Sequence, residues 1–143
     1  MKLVWDQRVG EWVSLRLFGR DNAFERYQSL GVADESGLIA GVVFHNWEPQ
    51  AEIIEVSAFA KTPRWFSRSV LSEMFSYTFG QLGCQMTFTR QAVSNQSASK
   101  IFKAVGGTEY VIPRLFGRHT DGSVVTLTEE AWRASKFNRE AQQ

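Results

Sequence analysis

One stretch constrains this chain more than any other, because its period changes partway along. Glu52 to Phe59 reads as a buried strand. After a basic turn closed by Pro63, Val70, Leu71, Met74, Phe75 and Thr78 recur at helical spacing between Ser67 and Phe79, with Arg68, Ser72, Glu73 and Ser76 opposite. Gly80 and Gly83 stop that helix, and Cys84 to Thr89 reads as a second strand. A strand-helix-strand unit of this length implies a parallel pair joined by a right-handed crossover. The fold class expected is therefore α/β, with a mixed sheet around a central β-α-β unit.

The flanks fit one domain over residues 1–143. Met1 to Trp5 is a short strand, and Asp6 caps a helix from Gln7 to Phe18 that Gly19 ends. Arg20 to Tyr27 reads as a loop. Gln28 to Ala33 and Leu38 to His45 read as strands joined by the turn Asp34-Glu35-Ser36-Gly37, and Asn46 to Pro49 breaks the second. Downstream, Ser94 or Asn95 caps a helix carrying Ala98, Ile101, Phe102 and Val105 on one face, stopped by Gly106-Gly107. Thr108 to Arg118 reads as a strand kinked at Pro113, with a hairpin turn at Asp121-Gly122 leading back through Val124 to Leu127. Thr128 caps a last short helix, and residues 138–143 read as a loose tail.

Composition removes several function classes. With 16 Lys+Arg against 15 Asp+Glu the net charge is +1, and no basic run exceeds two residues, which argues against a nucleic-acid partner. The longest apolar run, Leu38 to Phe44, is too short to span a bilayer, so no membrane partner is expected. A single cysteine, Cys84, fits a reducing compartment, and the polar turn after Trp5 does not suit a signal peptide; a cytoplasmic location follows as the expectation. Cys84 itself reads as a buried hydrophobe rather than a nucleophile.

Chemistry concentrates before the Ser67 helix. Unpaired N–H groups and a partial positive charge at a helix start suit phosphate. Arg64-x-x-Ser67-x-Ser69 puts a cation and two small residues there, although an ordinary helix start with Ser67 as its cap explains the same residues. This segment resembles the pyrophosphate-loop pattern of the GNAT N-acetyltransferase superfamily, R/Q-x-x-G-x-G/A, with serines in the glycine positions. Asn95 to Gly107 resembles the N-x-x-A-x-x-x-Y-x-x-x-G-F segment of the same family. Phrases such as GLIAGVVFHNW, PRW and QLGCQ are similar to a subgroup of small GNAT-like proteins of phages and bacteria.

The resemblance implies that acetyl-CoA lies between two splayed parallel strands and gives its acetyl group to an amine by direct attack. Ser57, Phe59 and Ala60 would pair with the pantetheine arm. Backbone groups of Trp65, Phe66, Ser67, Arg68 and Ser69 would hold the pyrophosphate, and Lys61, Arg64 and Arg68 would add charge. Asn95 would face the thioester, with Ser99 and Phe102 on the same segment at the cofactor. Glu55 and His45 are the alternative general bases: Glu55 by its place on the strand, His45 by its intrinsic pKa. No residue is assigned to a metal. Phe102 stands where the pattern has a tyrosine acid. Ser99, Tyr110 or water would then protonate the leaving thiolate, or it would leave unassisted. Alternatively the chain is a GNAT-fold binding or structural module without catalysis, such as a phage particle component or an inhibitor of a host protein. Trp47 and Trp65 are candidates to line the cleft, and Pro113 to Arg118 to shape the acceptor entrance. The amine, small molecule or protein, is left open, and an edge strand in the C-terminal hairpin leaves room for a homodimer.

Overall fold

A computed structural model describes residues 1–141. β1 (Lys2–Trp5) leads into Asp6, whose carboxylate accepts the Arg8 N–H and caps α1 (Gln7–Phe18); Gly19 closes the helix in the left-handed conformation at φ 69°. β2 (Tyr27–Asp34), β3 (Gly37–Glu48) and β4 (Ile53–Ala60) form an antiparallel meander with β1. A 3-10 turn (Pro63–Trp65) precedes α2 (Arg68–Phe75), which widens into a π-helical turn (Ser76–Gln81). Then come β5 (Met86–Ala92), α3 (Ser97–Ala104), β6 (Thr108–Ile112), β7 (Gly122–Thr128), α4 (Glu129–Ala134) and α5 (Lys136–Ala141). The strands make one seven-stranded sheet in the order β1-β2-β3-β4-β5-β7-β6, in which only β4 and β5 run parallel. This is the mixed α/β sheet with a central β-α-β unit that the change of period implies.

Five boundaries differ from the sequence reading. α3 follows Gln96, not Ser94 or Asn95, although Asn95 Oδ1 accepts the Ser97 N–H at 3.4 Å. β3 does not stop at His45. Asn46 takes φ 54°, a conformation asparagine tolerates, so the strand bulges and Glu48 pairs again with Ile53. β5 starts at Met86, because the Cys84 N–H is still tied to Thr78 at the end of the helix, and it continues to Ala92. Pro113 ends β6 instead of kinking it. Ile112 pairs with Gly122, so residues 113–121 form a loop and Asp121-Gly122 is not a two-residue hairpin turn. The tail expected from residue 138 is helical through Ala141, and residues 142–143 lie outside the described part.

The sheet is covered on both faces. Val9 and Val13 of α1 pack with Phe24 and Val43 on one side. Val42, Phe44 and Val56 meet Leu71, Met74 and Phe75 of α2 and Ile101 and Phe102 of α3 on the other, with Trp132 of α4. α1 lies close to β3 because Gly41 has no side chain: a Cβ there would stand 2.5 Å from Val13 Cγ2. β6 pairs only with β7, and all five of its residues are exposed. Among the described residues no helix is long and apolar enough to cross a membrane.

Candidate active site

The parallel pair at the sheet centre is short. β4 and β5 are in register at Ile53–Met86, Ile54–Thr87 and Glu55–Phe88 only. Beyond these positions β4 runs on to Ala60 and β5 to Ala92, each still paired on its outer side with β3 and β7. The two inner edges therefore separate, and their backbone groups have no ladder partner across the gap. Two cavities occupy the opening. One, of about 480 Å³, lies between the end of β4 with its following turn and the start of α3. The other, of about 390 Å³, lies between the facing edges of β4 and β5 and the end of α1. They meet at Phe59, Ser94 and Asn95, which line both. Volumes of this order hold a small-molecule ligand.

The larger cavity gathers several residues expected at the cofactor: Phe59, Ala60, Lys61, Trp65, Phe66 and Asn95. The Trp65 side chain is mostly packed into the core, so this residue closes the cavity floor instead of offering an open ring. Ser57 lines the smaller cavity. Arg64, Ser67, Arg68 and Ser69 line neither. The Ser67 hydroxyl is spent on its own helix, accepting the Val70 N–H at 3.3 Å, and the Arg68 guanidinium sits over the Phe137 ring at 5.4 Å.

Two expected residues are turned away from the cleft. Phe102 is fully buried, edge-on to Phe75 with ring centroids 5.7 Å apart. Ser99 is buried as well and its hydroxyl donates to the Gln96 carbonyl at 3.3 Å. The reason lies in the helical period. Ala98, Ile101, Phe102 and Val105 form the face of α3 toward the sheet, whereas Ser97, Lys100, Ile101 and Ala104 form the adjacent face toward the cavity. Lys100, absent from the sequence reading, thus lines the same cavity as Lys61. Its signal was a second i, i+3, i+4, i+7 set, Ser97, Lys100, Ile101 and Ala104, which shares Ile101 with the core stripe. Tyr110 lies on exposed β6, lines neither cavity, and offers no proton there.

The two candidate bases sit side by side on the α1 face. His45 pairs with Glu55 across β3 and β4. The Glu55 carboxylate is buried and both oxygens are occupied: Asn46 Nδ2 donates to one at 2.9 Å and Arg90 Nε to the other at 2.8 Å. His45 Nε2 lies 2.8 Å from Ser57 Oγ, and its ring packs 4.7 Å from that of Phe24. Burial lowers the His45 pKa; the Glu55 charge opposes that shift and the Arg90 charge adds to it. Burial thus favours the neutral imidazole, and Ser57 lies between it and the smaller cavity.

That cavity contains residues outside the sequence reading. Arg16, Leu17 and Phe18 come from the end of α1, Arg90 from β5, and Phe116 from the loop after β6. Phe116 alone of the segment Pro113 to Arg118 lines it, and Trp47 lines neither cavity. β5 beyond the splay also carries the two buried side-chain atoms with no partner among the described residues, Thr89 Oγ1 and Gln91 Nε2. Thr89 stands opposite core residue Val125 and so faces the α3 side. Cys84 is buried, and burial raises its pKa, which suits an inert thiol.

No family model and no curated protein matches the chain. Solved structures do. A point-mutant form of spermidine N-acetyltransferase SpeG from Vibrio cholerae superposes with a TM-score of 0.71 at 14% identity, covering 94% of this chain and 98% of that one. The same enzyme in complex with manganese ions gives 0.70 at 16% identity, covering 92% and 94%. Likeness at such identity speaks for the fold alone, and the fold of this chain is that of the GNAT-type N-acetyltransferases.

Proposed function

We propose that the protein is an acetyl-CoA-dependent N-acetyltransferase acting by direct attack of an amine on the thioester. The observation that carries this reading is the opening of β4 from β5 after three paired positions, with cavities on both sides of the opening. The larger cavity takes the cofactor. Unpaired groups on the inner edge of β4 bond its pantetheine amides, and Lys61 and Lys100 attract its phosphates. Arg64 and the N–H groups at the start of α2 extend that charge past the cavity mouth. Acetyl-CoA supplies the activated acetyl group. The smaller cavity takes the amine, and the thioester lies where the two meet, beside Asn95.

The amine enters as an ammonium and loses one proton before it can attack. Neutral His45 is the base, reached through Ser57: the hydroxyl accepts the proton as it passes its own to Nε2. Glu55, its oxygens held by Asn46 and Arg90, keeps the ion pair beside that base. Nitrogen attacks the carbonyl carbon, a C–N bond forms, the C–S bond breaks, and the thiolate leaves with the electron pair. The second nitrogen proton goes to solvent, and the thiolate becomes CoA thiol with a proton from water. A cytoplasmic setting belongs to the same proposal, since the reaction needs a CoA pool.

Titration calorimetry with acetyl-CoA tests the binding half. Saturable binding is expected, with Lys100→Glu weakening it roughly tenfold, about 1.4 kcal/mol. Ser67→Asp should weaken it too while keeping the helix cap, since aspartate caps as well as serine. No heat at millimolar cofactor would overturn the proposal. A second reading, a cofactor-binding module without catalysis, draws on one observation: neither Phe102, Ser99 nor Tyr110 presents a proton donor to the cavities. Cofactor binding without thiol release against a broad amine panel would favour it.

A further inference from the structure

The smaller cavity carries a charge pattern that selects among amines. Arg16 and Arg90 line it, and none of its described lining residues is acidic. The Glu55 carboxylate accepts the Arg90 Nε–H at 2.8 Å, while half of the Arg90 side chain remains exposed. Arg16 is exposed; its guanidinium sits 4.1 Å over the Trp12 ring and donates one N–H to the Trp12 carbonyl at 3.3 Å. The rest of the wall is apolar, from Leu17, Phe18, Phe59 and Phe116. A polyamine would bring additional ammonium groups against two arginines with no carboxylate facing them. Like charges a few ångströms apart in a partly enclosed site repel one another. A guanidinium fork instead matches a carboxylate or phosphate.

We propose that the acceptor is an amine carrying its own oxyanion beside an apolar group, the chemistry of an apolar α-amino acid, and not a polyamine. The oxyanion lies between Arg16 and Arg90, the apolar group lies on the phenylalanine wall, and the amine points toward Ser57 and the junction of the two cavities. This inference rests on the transferase reading.

Thiol release from acetyl-CoA tests it with a matched set: leucine, its aminophosphonate analogue, leucinamide, 3-methylbutylamine and spermidine. Leucine and the aminophosphonate test carboxylate against phosphonate as the oxyanion. Leucinamide removes the charge, and 3-methylbutylamine removes the whole group. The oxyanion-bearing amines should exceed 3-methylbutylamine in kcat/KM by roughly tenfold or more, one charged hydrogen-bonded contact. Their KM should rise with salt. Arg16→Glu, at an exposed position, should shrink that ratio at least tenfold and move preference toward spermidine. Arg90→Lys should weaken it by less while retaining a cation beside Glu55. If spermidine is the best acceptor, or if Arg16→Glu leaves the ratio unchanged, the inference fails and the transferase reading stands. If no amine releases thiol, the transferase reading fails and this inference with it.

Discussion

At the scale of single residues, Phe102 stands where the pattern that this segment resembles has a tyrosine. Phe102 is part of the packing between α3 and α2, and its ring is inaccessible to anything in the cleft. Full burial of such a side chain contributes roughly 2–3 kcal/mol. Restoring the hydroxyl should therefore not restore an acid. Phe102→Tyr buries an unpartnered O–H and is expected to cost about 1–3 kcal/mol with no gain in kcat. Thermal unfolding and thiol release measured on the same variant decide it, and a faster enzyme would show that the ring can reach the cleft. Thr89 Oγ1 and Gln91 Nε2 are the opposite case, buried polar atoms without a partner among the described residues. Both occur where β5 has left β4, along the wall of the opening. Buried polar groups of this kind concentrate at working sites, where function overrides packing.

At the scale of elements, α1 sets one wall of the smaller cavity by how closely it sits on the sheet. A Cβ at Gly41 would meet Val13 Cγ2 at 2.5 Å and Val9 Cγ1 at 2.9 Å, so the helix rests on that missing side chain. Gly41→Ala is expected to lift α1 and cost about 1–3 kcal/mol in urea unfolding, as overpacking does. It should also change the KM for the amine, because Arg16 to Phe18 move with the helix, and leave the affinity for acetyl-CoA as it was. Equal loss at both ligands would mean the whole sheet had shifted. Elements were the part of this chain most legible in its sequence. Apolar periodicity marked the α2 and α3 stripes, Ser67 and Thr128 marked the caps of α2 and α4, and the change of period marked the parallel pair. The site was less legible because its members come from contacts that periodicity does not encode. Arg16 and Arg90 are far apart in sequence, and α3 shows two faces that share Ile101, of which the apolar one toward the core is the one that periodicity picks out. The bulge at Asn46 was hidden for a similar reason: asparagine signals a break and a tolerated left-handed residue equally well.

At the scale of the molecule, stability should depend on pH through His45. Its ring titrates near 6.5 when unfolded and lower when folded, because burial disfavours the cation more than Glu55 favours it. Below about 6.5 the unfolded chain binds a proton that the folded chain refuses, so stability falls as pH drops through that value toward the folded pKa. Denaturation at pH 7.5, 6.5 and 5.5 should show this loss, and His45→Gln should flatten it. An unaltered slope in that variant would remove His45 as the cause. The separation of β4 from β5 has a consequence for solubility as well. A sheet with a splayed centre has four edges: the outer sides of β1 and β6, and two that face each other inside the crevice. Unpaired strand edges invite other chains to add on and aggregate. The two inner edges face each other across the crevice, so a strand from another chain has to enter the crevice before it can pair with them. The fold thus keeps strand-like pairing inside the crevice, on offer for something the width of a pantetheine arm.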